Sequence, residues 1–237
     1  MKHTIKKKVS DSLPHIDDYK SVLENVSLLF YRNTFAAIVA VLEARDAYTA
    51  HHSERVAIMA SRLCTVLKLP PLKAEMIEMT AAVHDIGKAG ISDATLNKPG
   101  KLTDEEWQEI KKHTTIGAEI INKAGQTPIT TEAIASKLPE GRLAHIAEGV
   151  EAHHERWDGK GYPKGLAGKD IPFVSRIIAL CDSVDAMRSR RVYRDPLSVS
   201  ICCEELSKGR GTMYDPELTD IFLKNWDFIV GDLYDNE

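Results

Sequence analysis

Apolar residues recur along most of this chain at three- and four-residue steps, and no stretch sustains the two-residue alternation of a half-buried strand. The pattern predicts an all-α protein, a helical bundle. From Ile16 to about Arg45, Leu23, Val26, Phe30, Ala37 and Val41 share one stripe of a long amphipathic helix, suited to packing on the domain or on a partner helix. A second helix, about Thr49 to Leu67, puts Val56, Ala60, Leu63 and Leu67 on one face. One turn back from Val56 stands His52, so that histidine is expected to point inward. A third helix begins after Pro70-Pro71 and carries Met76, Thr80 and His84 at four-residue steps, with Gly87 as its C-terminal stop. His84 and Asp85 fall in its last turn.

Thr103-Asp104-Glu105-Glu106 has the form of a capping box, with Leu102 and Trp107 placed for a hydrophobic staple, and the helix it opens lines up Ile110, His113 and Gly117. The stretch 124–141, broken by Pro128 and Pro139, is an excursion between helices. Beyond it, about Arg142 to His154, a stripe of Leu143, Ile146 and Val150 leads to His153 and His154. The segment from Glu155 to Pro172 is a loop holding four of the fourteen glycines, and such a loop beside two histidines suggests the mouth of a site. A further helix runs through Val174, Ile177, Ile178 and Cys181 to Asp182. Asp195-Pro196 and Asp215-Pro216 each have the form of an N-cap followed by the first helical residue.

With 237 residues, 43% of them hydrophobic, the chain can bury a substantial core, and its net charge of −4 excludes a nucleic-acid binder working by global basicity. The same balance argues against nonspecific attraction to a membrane surface, so an anionic ligand has to be held by local charges. The longest apolar run, Phe35 to Leu42, is far short of a membrane span, and the lysine-rich start lacks the apolar stretch of a secretory signal. A cytoplasmic location is expected. Cys64, Cys181, Cys202 and Cys203 have no CxxC spacing, and buried thiols are the expected reading.

The nine histidines are the informative residues. His52, His84-Asp85, His113, His153-His154 and Asp182 all fall on, or at the end of, the inward faces of five separate helices. Seven such groups converging on one centre suit a transition-metal site of imidazole and carboxylate, where a shared carboxylate can bridge two ions. The alternative, a hydrogen-bonded polar cluster in the core, requires burying all seven with mutual satisfaction. Lys88, four residues past His84, is within reach of a phosphate oxygen or a leaving group at such a centre.

His84-Asp85-Ile86-Gly87-Lys88, the run His153-His-Glu-Arg-Trp-Asp-Gly-Lys-Gly-Tyr-Pro163 and Arg191-Val-Tyr-Arg194 together resemble the HD-GYP family, bacterial phosphodiesterases of cyclic di-GMP. The resemblance runs from about Tyr48 to Lys224. It implies an HD-domain bundle over 48–237, preceded by a tail and amphipathic helix over 1–47. It also implies metal ligands at His52, His84, Asp85, His113, His153, His154 and Asp182, with Asp85 bridging. Attack by a metal-bridging hydroxide would open cyclic di-GMP to linear pGpG and onward to GMP, with Asp85 and Lys88 in the catalytic roles. Tyr162 in the GYP segment is implied in substrate contact or in docking a diguanylate cyclase, although a tyrosine beside a proline also simply packs. Arg191 and Arg194 match phosphate-contacting positions, and bidentate guanidinium geometry suits a phosphodiester.

Arg188 and Arg190 depart from the family pattern and add positive charge for substrate binding and steering. The interval between His113 and His153 is longer than the family's. Tyr48 replaces the glutamate of three-metal members, so two divalent transition metals, iron or manganese, are expected and not three. Two other readings stand beside this one: a phosphodiesterase preferring 3′,3′-cyclic GMP-AMP, and a non-catalytic receptor or interaction module. The N-terminal helix is a candidate homodimerisation element. Neither a nucleic-acid polymer nor a membrane is an expected partner.

Overall fold

A computed structural model of the chain describes residues 33–34, 36–42, 51–126, 141–190 and 195–234. The chain divides into two compact units: Phe35–Thr127 with Gly141–Glu237, and Met1–Thr34 with Pro128–Glu140. Only Asn33 and Thr34 of the second unit are described, both helical. Most of the predicted N-terminal helix, Tyr48, Arg191, Arg194 and most of the 124–141 excursion lie outside the described residues. Helical residues 36–42 belong to the larger unit.

That unit is all-α, as predicted; apart from two isolated bridges, no strand occurs among the described residues. Its helices are α1 (His52–Val66), α2 (Pro71–Ala82), α3 (Asp93–Leu96), α4 (Asp104–Lys111), α5 (His113–Gln126), α6 (Arg142–Glu151), α7 (Phe173–Arg188), α8 (Val199–Gly209), α9 (Pro216–Lys224) and α10 (Trp226–Ile229). Helix α1 packs on α2, α7 and α10, while α5 packs on α6 and on a 3-10 turn, Ile86–Gly90. The core gathers where the apolar stripes meet: Val56, Met59 and Leu63 of α1, Ile177, Ile178 and Val184 of α7, and Phe222 and Trp226 near the C-terminus. Cys64, Cys181 and Cys202 are buried free thiols within it, as expected.

Local signals set several boundaries. Thr103 forms the predicted capping box with Glu106. Asp215 caps α9 through the Glu217 and Leu218 amides, with Pro216 in the first turn. Several expectations fail. Asp195-Pro196 does not open a helix; α8 starts at Val199 behind Ser198, whose side chain accepts from the Ile201 amide. The helix opened by Thr103 does not run through His113 but breaks at Lys112. There the His113 ring and the hydroxyls of Thr114 and Thr115 donate to the carbonyls of Ile110, Lys111 and Lys112, competing with the helical ladder. His84 and Asp85 do not lie in the last turn of α2, which ends at Ala82; they occupy the link to the 3-10 turn.

Gly87 has a different use from the predicted helix stop. A Cβ at Gly87 would stand 1.8 Å from the His113 carbonyl oxygen and 2.5 Å from the Gly117 nitrogen. The missing side chain lets the turn carrying Asp85 and Lys88 lie directly on the first turn of α5. Backbone contact thus fixes the Asp85 side of the centre against His113.

Candidate metal centre

Five imidazoles form a continuous cluster. Ring centroids lie 5.1 Å apart for His52 and His84, 5.1 Å for His84 and His153, 5.2 Å for His113 and His153, and 4.1 Å for His153 and His154. Four are buried and His154 is the most open. All of them sit at helix starts or in the turns that follow helices: His52 and His113 open α1 and α5, while His84, His153 and His154 follow α2 and α6.

Three rings are aimed by one local device. Nδ1 of His84, His113 and His153 donates to the carbonyl three residues upstream, on Ala81, Ile110 and Val150, at 2.7, 2.7 and 2.6 Å. A carbonyl only accepts, so each Nδ1 carries its proton and each Nε2 of a neutral ring presents a lone pair inward. His52 reaches the same state through Asp185, whose Oδ2 accepts from Nδ1 at 2.7 Å.

The inward atoms then meet in pairs. Nε2 of His52 lies 3.2 Å from Nε2 of His84, and Nε2 of His113 lies 3.3 Å from Nε2 of His153. Lone pairs facing at that range repel unless a proton or cation sits between them. Two donors bound about 2.1 Å from one cation at tetrahedral or octahedral angles stand about 3.0–3.4 Å apart, close to the spacing found.

Asp85 lies between the two pairs. Its Oδ2 is 3.7 Å from His52 Nε2 and 3.5 Å from His84 Nε2, and its Oδ1 is 3.4 Å from His113 Nε2. Asp182 Oδ1 is 3.4 Å from His52 Nε2. Two groups that could each hold a metal ion result: His52 with His84 and Asp85, and His113 with His153 and His154. The donor set fits two transition-metal ions sharing one carboxylate.

The electrostatics run in the same direction. Burial by itself raises the Asp85 carboxyl, but the Lys88 ammonium and the rings of His84, His113 and His52 outweigh it and hold the group well below the usual carboxylate range. Burial pushes His153 well down and His154 down to about 3, with neighbouring imidazoles adding to the effect; both stay neutral, the form a metal requires. Burial also lowers His113. At His52 burial acts downward too, but the Asp185 hydrogen bond and the carboxylates of Asp182 and Asp85 prevail and raise it.

The remaining predicted residues divide. Lys88 Nζ lies 2.7 Å from Asp85 Oδ2 at the edge of the cluster. The Tyr162 ring lies 4.9 Å from that of His154, and its amide donates to the His154 carbonyl at 3.2 Å. Burial, then the charges of Asp85 and Asp182, raise the Tyr162 phenol, so it remains a donor. Arg190 is exposed at the end of the stretch that follows α7. The Arg188 guanidinium lies over the Tyr234 ring at 5.2 Å and donates to the Leu197 carbonyl at 2.8 Å.

Two residues escaped the sequence reading. Asp185 supports His52 and is 1% exposed. Glu155, 3% exposed, accepts from the amides of Lys164 at 2.7 Å and Leu166 at 3.0 Å, and so folds the glycine-rich loop over its own base. Asp185 was detectable as one helical turn beyond Asp182, just as its partner Arg55 is one turn beyond His52.

The HD domain family model matches residues 37–218. Over 213 residues the chain is 37% identical to a 3′3′-cGAMP-specific phosphodiesterase 2 of Vibrio cholerae, covering 87% of this chain and 38% of the relative. It is 40% identical over 182 residues to a cyclic di-GMP phosphodiesterase of Thermotoga maritima, covering 77% and 46%. The chain therefore spans less than half the length of each of these two relatives. Among solved structures, an HDG"Y"P protein from Bdellovibrio bacteriovorus shares the fold with a TM-score of 0.57 at 17% identity, covering 87% of this chain and 67% of that one. With the His84-Asp85 pair at the centre of the cluster and Gly161-Tyr162-Pro163 beside it, the chain belongs to the metal-dependent HD domain family and, within it, to the HD-GYP group.

Proposed function

We propose that the chain is a two-metal phosphodiesterase that hydrolyses cyclic di-GMP to linear pGpG, with residues 48–237 as its catalytic part. The carrying observation is the meeting of four inward Nε2 atoms in two pairs, with the two oxygens of Asp85 between them. In this reading His52, His84, Asp85 and Asp182 hold one ion, and His113, His153, His154 and Asp85 hold the other, iron or manganese. When bound, such a pair acidifies a shared water and screens the charge of a phosphodiester.

The chain's own groups supply the rest. Lys88 neutralises a phosphate oxygen or donates its proton to the leaving 3′-oxygen. Tyr162, protonated beside His154, offers a hydrogen bond to the substrate. Arg190, Arg191 and Arg194 complete the phosphate contacts, and with only neutral histidines and one shared carboxylate around the second ion, the substrate's negative charge is an added attraction there.

A second substrate is favoured by one observation: the Vibrio cholerae relative that covers 87% of this chain is named for 3′3′-cGAMP. Turnover of both dinucleotides by metal-loaded protein decides between them. Under the proposal His84→Ala and Asp85→Ala abolish turnover and lower metal content while helical circular dichroism persists. Full activity in metal-stripped protein, or in either variant, would overturn it.

A further inference from the structure

His52 is the one ring of the cluster whose Nδ1 partner comes from a distant part of the chain. It is the first residue of α1. Asp185 of α7, 133 residues away, supplies the acceptor. That carboxylate is itself held on every side. Oδ1 accepts from Arg55 Nε at 2.5 Å and from the Tyr234 hydroxyl at 2.8 Å; Oδ2 accepts from Ser189 Oγ at 2.9 Å and from Arg55 Nη2 at 3.3 Å. The Tyr234 ring in turn has guanidinium groups near it at 5.4 Å, from Arg55, and 5.2 Å, from Arg188.

We propose that Asp185, anchored by Tyr234, is the positioning pair for His52, and that it sets the affinity of the ion held by His52, His84, Asp85 and Asp182 without affecting the other ion. This rests on the two-metal reading above. The physical ground is that a ligand histidine is oriented, and its basicity raised, by what its second nitrogen donates to. The other histidines with a defined Nδ1 partner use carbonyls three residues upstream, in the helix just before them, so only the His52 half of the centre depends on α7 and on the 3-10 turn Gly231–Tyr234.

The test is stepwise cobalt(II) titration of the full chain after chelation, read by visible absorption, for wild type, Asp185→Asn and Tyr234→Phe. Both substitutions keep the side-chain volume, and Tyr234→Phe keeps the ring beside the guanidiniums. One equivalent should weaken about 10- to 100-fold in Asp185→Asn, the usual scale for such outer partners, and severalfold in Tyr234→Phe, with an altered absorption band. The other equivalent should keep its affinity and spectrum. Equal weakening of both equivalents, or unchanged titrations with only a lower melting temperature, would overturn the proposal. If Asp185→Asn does not fold, Tyr234→Phe carries the test alone. Wild-type protein that binds no cobalt would instead sink the metal reading on which the proposal rests.

Discussion

Replacing Gly87 by alanine should separate the two sides of the centre. The added methyl would meet the His113 carbonyl oxygen at 1.8 Å, the Gly117 nitrogen at 2.5 Å and the His113 carbonyl carbon at 2.7 Å. All three are backbone atoms, so no rotamer change relieves the clash. Restoring an ordinary contact of about 3.5 Å requires the 3-10 turn to retreat from α5 by roughly 1.7 Å. Asp85 Oδ1 now lies 3.4 Å from His113 Nε2. One cation can join two donors at most about 4.2 Å apart, twice a ligand distance of about 2.1 Å, so a displacement of that size uses up the available span.

The stability cost should be about 3 kcal/mol, the upper part of the range for overpacking, because the obstacle is backbone. For a chain of this size that corresponds to a melting temperature lower by about 6–12 °C. Gly117→Ala makes a useful comparison, since its methyl would meet chiefly the Val150 side chain at 2.7 Å and that group can give way. It should cost about 1 kcal/mol. Gly231→Ala meets nothing and should be neutral. Thermal unfolding of chelated protein with metal counting on loaded protein measures both effects. A Gly87→Ala protein with wild-type melting and full metal content would refute the close-approach argument.

Two further outcomes follow from the buried charges. Glu155→Ala leaves the Lys164 and Leu166 amides without their acceptor and should cost about 1.5–3 kcal/mol, the scale for hydrogen bonds to a charged group; hydrogen exchange at those two amides should accelerate, and unchanged protection would refute the tie. Metal uptake below the raised value of His52 should release a proton from that ring, while His153 and His154, already neutral, release none. The sign is that affinity rises with pH up to the raised value of His52 and then levels off. Metal titrations across pH measure the dependence, and an affinity that does not change with pH below that value would refute this division of charge.

What the sequence disclosed about the fold was mainly local. A capping box, an aspartate before a proline and three- to four-residue apolar stripes act over one or two turns, so Thr103, Asp215 and the faces of α1 and α7 could be read directly. Asp195-Pro196 carries the same kind of signal as Asp215-Pro216 and yet opens no helix, because Ser198 provides the cap that α8 uses. The break at Lys112 was hidden for a related reason. It arises from side chains bonding back to carbonyls three residues earlier, and apolar periodicity does not register that competition.

The centre shows the same division on a larger scale. The histidines were visible because each stands where an apolar stripe ends, and three are aimed by carbonyls only three residues away, an arrangement that a short piece of chain can specify. His52 instead donates to Asp185, and its aim depends on a contact that exists only once α1, α7 and the turn ending at Tyr234 have packed together. One half of the centre is therefore set largely by local geometry, and the other by the tertiary fold. Perturbations that loosen the packing of α7 or of the Gly231–Tyr234 turn should reach the His52 side first, while Gly87 and its contact with α5 govern how far apart the two halves lie.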